Sequence, residues 1–247
     1  MINLSSLLSN KIFSKSISEI NLQEKCIINT INPHSYCISK KDKNFAAALL
    51  SSDILLPDGS GIVLASKFLK NKKIKKIAGA DIHKHLLENA NSNFKKVFYL
   101  GAYTNTLQLI KNRITTEYPN IVFESYSPPY KSEFSKDDSA IMRDKVNSFK
   151  PDILFVGMTA PKQEKWVYYN HEKLSVPVIA SIGAVFDFYA GTVERSSQFW
   201  INLGLEWLPR LLKDPKRLWR RNFISTPLFL GHIFRTKLNI LINQELN

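Results

Sequence analysis

The stretch DILFVGMTAPKQEKW, residues 152–166, decides how the chain is read. Behind Asp152 runs Ile-Leu-Phe-Val, closed by Gly157, an apolar segment of strand length without polar alternation. A strand covered on both faces needs that pattern. A short loop later, Pro161 opens a helical pattern, KQEKWVYYNHEKL. Outward from this unit the same succession repeats. KCIINTI (25–31), DILLP (53–57), KKIAG (75–79), KVFYLG (96–101), NIVFES (120–125) and PVIASIG (177–183) read as strands. GIVLASKFLK, NTLQLIKNRITTEY and DSAIMRDKVNSF read as helices between them. The alternation predicts an α/β fold: a mostly parallel sheet with helices on both faces. In such sheets ligands sit beyond the carboxyl ends of the strands, so the candidate chemistry is sought in those loops.

Residues 1–23 read as a helical or flexible lead-in and 24–191 as the α/β core. SPPYKSEFS, residues 127–135, reads as a lobe boundary or flap within that core. After Gly191 strand signals stop, and 192–247 reads as a C-terminal all-helical appendage in which Asp214 and Pro215 start a new helix.

Hydrophobic residues make up 44% of the 247 and charged residues 22%, which suits a sizeable core and argues against disorder. The net charge of +13 favours polyanionic partners: nucleic acid, anionic lipid or phosphorylated ligands. Two cysteines, Cys26 and Cys37, make no disulfide framework and fit buried thiols in a reducing compartment. No secretory leader and no transmembrane run is read, so the expectation is a cytoplasmic protein.

In LLPDGSGIV, Asp58 follows a strand, and Gly59 lets backbone or ligand come close. A carboxylate there serves as a general base or, more plainly, as a helix cap. In FVGMTAPKQEKW, Lys162, Gln163 and Glu164 open a helix whose free N–H groups suit phosphate; a solvated helix entry is the equal alternative. Gly101, in FYLGAYTNTLQ, has the same setting but lacks a dinucleotide fingerprint. Arg195 pairs locally or reaches a ligand. There is no D-x-D, no P-loop and no G-x-S-x-G, and His83 and His85 read as surface groups. Neither a metal nor a cofactor is expected.

Taken together, DILLPDGSGIVLASKFL, KIAGADI, ILFVGMTAPKQEKW, GAVFDFYAGTVERS and GLEWLPRLLKDPKRLWRR resemble, in that order, the WecG/TagA/CpsF glycosyltransferases. The likeness spans roughly Cys26 to Arg221. It implies a Rossmann-like α/β fold of its own type. It also implies an inverting, metal-independent transfer of an N-acetylmannosamine-type sugar from a UDP donor to a polyprenyl-diphosphate-linked sugar at the cytoplasmic membrane face. By that resemblance Asp58 matches the base, with Thr30 beside it and Asn32 close by. Lys162, Gln163 and Glu164 match the nucleotide-side block, and Arg210, Arg217 and Arg220 match arginines that reach the donor diphosphate. Lys76 stands where arginine is common, and Lys lacks the bidentate fork; Thr159 replaces a frequent glycine.

The basic C-terminus then has two tasks. Without a metal, guanidinium groups must stabilise departing UDP. From Arg195 to Lys237 there are nine basic and two acidic residues, and Leu230, Phe234, Leu238 and Leu241 fall on one helical face. That combination fits an anionic membrane surface, the alternatives being core packing or a homo-oligomer contact. A nucleic-acid-binding module is the rival class, but it leaves Asp58 and A-P-K-Q-E without a role. Within the family the alternative donors are UDP-glucose and UDP-N-acetylmannosaminuronic acid.

Overall fold

The computed structural model describes residues 2–22, 25–194, 196–197, 199–200, 203 and 207–245, the side chains at 210, 217 and 243–245 excepted. Six strands form one sheet: β1 (Cys26–Ile31), β2 (Ile54–Pro57), β3 (Lys96–Gly101), β4 (Val122–Tyr126), β5 (Ile153–Gly157) and β6 (Val178–Ser181). All neighbours are parallel, in the order β2-β1-β6-β5-β3-β4. The sheet is open and doubly wound like a dinucleotide-binding sheet, with a strand order of its own.

Alternate residues point to opposite faces. Ile28, Val97, Tyr99, Ile153, Phe155, Val178 and Ala180 pack with α5 (Gly79–Ser92), α6 (Thr104–Glu117) and α9 (Val185–Ala190). Ile27, Phe98, Leu100, Leu154, Val156 and Ile179 pack with α7 (Lys136–Phe149) and α8 (Lys162–Asn170). A third cluster joins Ile31 and Leu55 to α1 (Leu4–Asn10), α2 (Pro33–Ser39), α3 (Lys43–Ser51) and α4 (Ser60–Lys70). Burial on both faces is why β3 and β5 carry near-continuous apolar runs. The exposed order edge falls to β4, whose VFESY is more polar and only partly buried.

Two readings are corrected. KKIAG is not a strand. Ile77 donates one backbone bond to Pro57 O (3.0 Å), and the Asp81 carboxylate then accepts from Ala78 N (2.8 Å) and turns the chain into α5. Ile74 and Ile77 are buried on either side of the two lysines, and the segment passes the end of β2 without joining the sheet. His83 is not a surface group: it is 3% exposed, its Nε2 lies 2.6 Å from Tyr99 Oη, and burial lowers its pKa to about 3.

The C-terminal segment is helical throughout its described part: α10 (Trp207–Lys213), α11 (Pro215–Trp219), a π-helical turn (Arg220–Ser225) and α12 (Thr226–Glu245). Phe229 and Ile233 bury α12 against α2 and α4. Among the described residues no helix is long and apolar enough to cross a membrane.

Candidate active site

Thr30, Asn32, Asp58, Gly59, Gly101, Lys162, Gln163 and Glu164 lie in or just beyond the carboxyl ends of the strands. At one end of this edge lie β1 and β2. Their register pairs Thr30 with Leu56 and Ile31 with Pro57, and Asp58 N donates to Ile31 O at 2.8 Å, so Asp58 follows the end of β2 two residues beyond the level of Thr30 on the adjacent strand. Asp58 is not the cap of α4: Gly59 holds that position, with no side-chain cap bond. Asn32 does cap a helix. Its Oδ1 accepts from Ser35 N (3.0 Å), while Asn32 N donates to Ser35 Oγ (2.8 Å), fixing the first turn of α2. Lys76 belongs to the segment that Ile77 ties to the end of β2.

Farther along the edge, the crossovers after β3 and β5 run in opposite directions across the sheet, which makes their boundary a topological switch point. Gly101 and Gly157 are paired there. Gly101 has φ 122°, and a Cβ on it would stand 2.3 Å from Gly157 O, so only glycine fits. The loop after β5 is folded by Gln163, 3% exposed: its Oε1 accepts from Met158 N (3.0 Å) and its Nε2 donates to Glu164 Oε1 (2.8 Å). Gly183, after β6, lies against the same amide. Glu164 is also 3% exposed, its Oε2 has no partner, and burial pushes its carboxyl up to about 7. Lys162 donates to Lys131 O (2.8 Å) and lies 4.8 Å from the Phe134 ring centroid, which holds loop 127–135 over this edge. Its ammonium pKa is lowered by burial. In the same place Tyr103 and Tyr130 stack, centroids 6.0 Å apart and planes 24° apart, both largely exposed.

Of the arginines, Arg220 is exposed on the π-helical turn, and Arg221 is partly buried next to His34, whose pKa is lowered by burial first and by Arg221 second. Arg195 and the side chains of Arg210 and Arg217 lie outside the described residues. Among the described residues no three His, Cys, Asp or Glu side chains gather as a metal would require.

The family model described as the Glycosyl transferase WecG/TagA/CpsF family matches residues 2–242. The chain belongs to this family. Relatives in it include the N-acetylglucosaminyldiphosphoundecaprenol N-acetyl-beta-D-mannosaminyltransferase of Bacillus subtilis (strain 168), 32% identical over 213 residues, 86% of this chain and 80% of the relative. The protein of the same name from Staphylococcus aureus (strain MW2) is 30% identical over 213 residues, covering 86% and 81%. This protein is therefore a glycosyltransferase, and its WecG/TagA/CpsF blocks map to the carboxyl edge: DILLPDG on β2, FVGMTAPKQEKW on β5 and α8.

Several residues along this edge carry no signal in the sequence. Tyr130 lies in SPPYKSEFS, which reads as a lobe boundary or flap, and Tyr103 precedes a helix; neither has a periodic signal. Gly183 was taken only as a strand end. His34 stood behind Asn32-Pro33 with nothing to mark its contact 191 residues away, with Ser225.

Proposed function

We propose that this glycosyltransferase moves N-acetylmannosamine from a UDP donor to a polyprenyl-diphosphate-linked N-acetylglucosamine, with inversion and without a divalent ion. One observation carries the reading: Asp58 leaves β2 just beyond the paired ends of β1 and β2, on the strand next to Thr30, in a chain whose relatives are named for mannosaminyl transfer to N-acetylglucosaminyldiphosphoundecaprenol. In this scheme Asp58 takes the proton of the acceptor hydroxyl as it attacks the anomeric carbon from the face opposite UDP. Thr30 and Asn32 flank the attacking group. Lys76 supplies positive charge at the same end.

The donor lies toward the switch point. Stacked Tyr103 and Tyr130 offer a flat face for uracil, and Lys162 stands beside them. Gly101 keeps the backbone low where the nucleotide passes, and Gln163 with Glu164 shapes the floor. Negative charge growing on the departing diphosphate falls to guanidinium groups of the C-terminal segment, Arg220 with Arg195, Arg210 and Arg217. Such bonds strengthen as charge accumulates, so they favour the transition state.

The acceptor is a lipid, and the exposed surface suits one. Leu64 and Phe68 on α4 stand exposed with Leu230, Phe234, Leu238 and Leu241 on α12. The Phe68 and Phe234 rings are 5.9 Å apart, and Lys237 lies over Phe68. An apolar ridge bordered by Lys67, Lys70, Arg235 and Lys237 matches an anionic bilayer interface. Purified protein should make product from UDP-N-acetylmannosamine and a short polyprenyl-diphosphate-N-acetylglucosamine, with EDTA present. Product from another UDP-sugar alone would change the donor; loss in EDTA, restored by magnesium, would end the metal-free scheme.

A further inference from the structure

Ser225, the last residue of the π-helical turn, is buried and doubly held by α2. Its Oγ lies 2.8 Å from His34 Nδ1, and Cys37 Sγ donates to its carbonyl at 3.3 Å. One turn on, Phe229 meets Tyr36 edge to face, centroids 5.4 Å apart. A Cβ on Gly61 would stand 2.5 Å from Pro33 Cγ and 3.5 Å from Phe229 Cε1. The first turns of α2 and α4 therefore converge with the C-terminal helix at one point. Each of those turns starts at a site loop, one behind Thr30 and Asn32, the other behind Asp58. The wide turn has a local cause too. Pro227 has no N–H to give Phe223 O, and Thr226 Oγ1 reaches back to Arg221 O at 3.3 Å.

We propose that His34 is a positioning residue: through Ser225 it latches the arm bearing Arg220 and Arg221 to the β1–β2 end of the site. Apolar packing by Phe229 and Ile233 holds α12 down one turn and more beyond Ser225. A bond from an imidazole nitrogen to a buried hydroxyl sets a rotational register, because an unmet buried polar atom is costly. Arg221 and Arg220, at the other end of the same π-helical turn, inherit that register. This rests on the reading that the arm's guanidinium groups meet the donor diphosphate.

Hydrogen exchange and UDP titration test it on full-length protein, in wild type, His34→Ala, His34→Asn, Ser225→Ala, Arg221→Ala and the His34→Ala/Arg221→Ala double variant. In His34→Ala and Ser225→Ala, amides of 220–226 should exchange several-fold faster while those of α5 stay unchanged. UDP affinity should fall about threefold to tenfold, the weight of one hydrogen bond. His34→Asn, which keeps a polar atom near the Nδ1 position, should recover most of it. Arg221→Ala should add little on top of His34→Ala, since both act through one element. Unchanged exchange at 220–226 overturns the latch. Faster exchange with wild-type UDP affinity overturns the positioning role and leaves a fold contact. A wild type that binds no UDP removes the donor reading and the role with it, while exchange alone still decides the latch.

Discussion

The two ends of the carboxyl edge are built on different principles. At the β1–β2 end, Thr30 lies in the last stretch of strand before the loop, Asp58 and Lys76 sit at loop positions, and the bracing comes from outside: the Asn32 capping box, Gly61 against Pro33, and α12 behind both. At the β5–β3 end, polar side chains are themselves the bracing. Gln163 bonds Met158 N and Glu164, both side chains are buried, and Gly101 and Gly157 bring two strands into close approach. The difference separates work from shape. On the proposed reading, the base and the acceptor stand at the first end, and the groups that give the donor its contour stand at the second. Substitutions at the first should cost turnover with little stability, and at the second the reverse.

Gly101→Ala should break the second end most. Positive φ and a 2.3 Å approach to Gly157 O together should cost roughly 3–5 kcal/mol in a denaturant melt. A wild-type melting curve would mean that this loop yields freely and that the shape argument is wrong.

Glu164 sharpens the contrast through pH. Burial raises its carboxyl from 4.5 to about 7, so the folded state keeps a proton that the unfolded chain releases between those values. Its contribution is full below pH 4.5 and is lost as pH rises through 7, roughly 3 kcal/mol in all. Glu164→Gln should remove that slope, gaining on the wild type between pH 5 and 8. Parallel curves would contradict it. His83 works in the opposite sense: its pKa is depressed, so its contribution is present above 6.5 and lost as pH falls toward 3.

The smallest effect concerns the surface. Phe68→Ser or Phe234→Ser should weaken binding to vesicles containing anionic lipid about tenfold, and leave turnover on a water-soluble acceptor alone. Equal binding by the double variant would remove the ridge as the docking face.

Much of this was legible in the chain because sheet burial writes itself in residue type. Runs such as ILFVG and KVFYLG can satisfy only a two-sided core. KKIAG reads as a strand because Ile77 and Ala78 are buried and Ile77 makes one backbone bond to the end of β2, and five strand-like residues look the same whether or not a ladder follows. His83 was readable in principle: Ile82, Leu86, Leu87 and Ala90 are buried on α5, and His83 shares their helical phase. Gln163 and Glu164 were not. A polar pair at a helix start looks solvated until the loop before it folds back onto the amide. Asp58 reads as a helix cap in sequence, but it falls one residue before the N-cap position of α4, which Gly59 occupies. The meeting of His34 with Ser225 is tertiary, and no local pattern announces it.

The most direct trial is turnover by purified Asp58→Asn with both substrates saturating, alongside its UDP affinity and melting temperature. Loss of a general base should lower turnover about 10²- to 10⁴-fold, with donor binding and melting close to wild type. Turnover within a few-fold of wild type would show that proton removal happens elsewhere, and the assignment of the β1–β2 end to chemistry would fall.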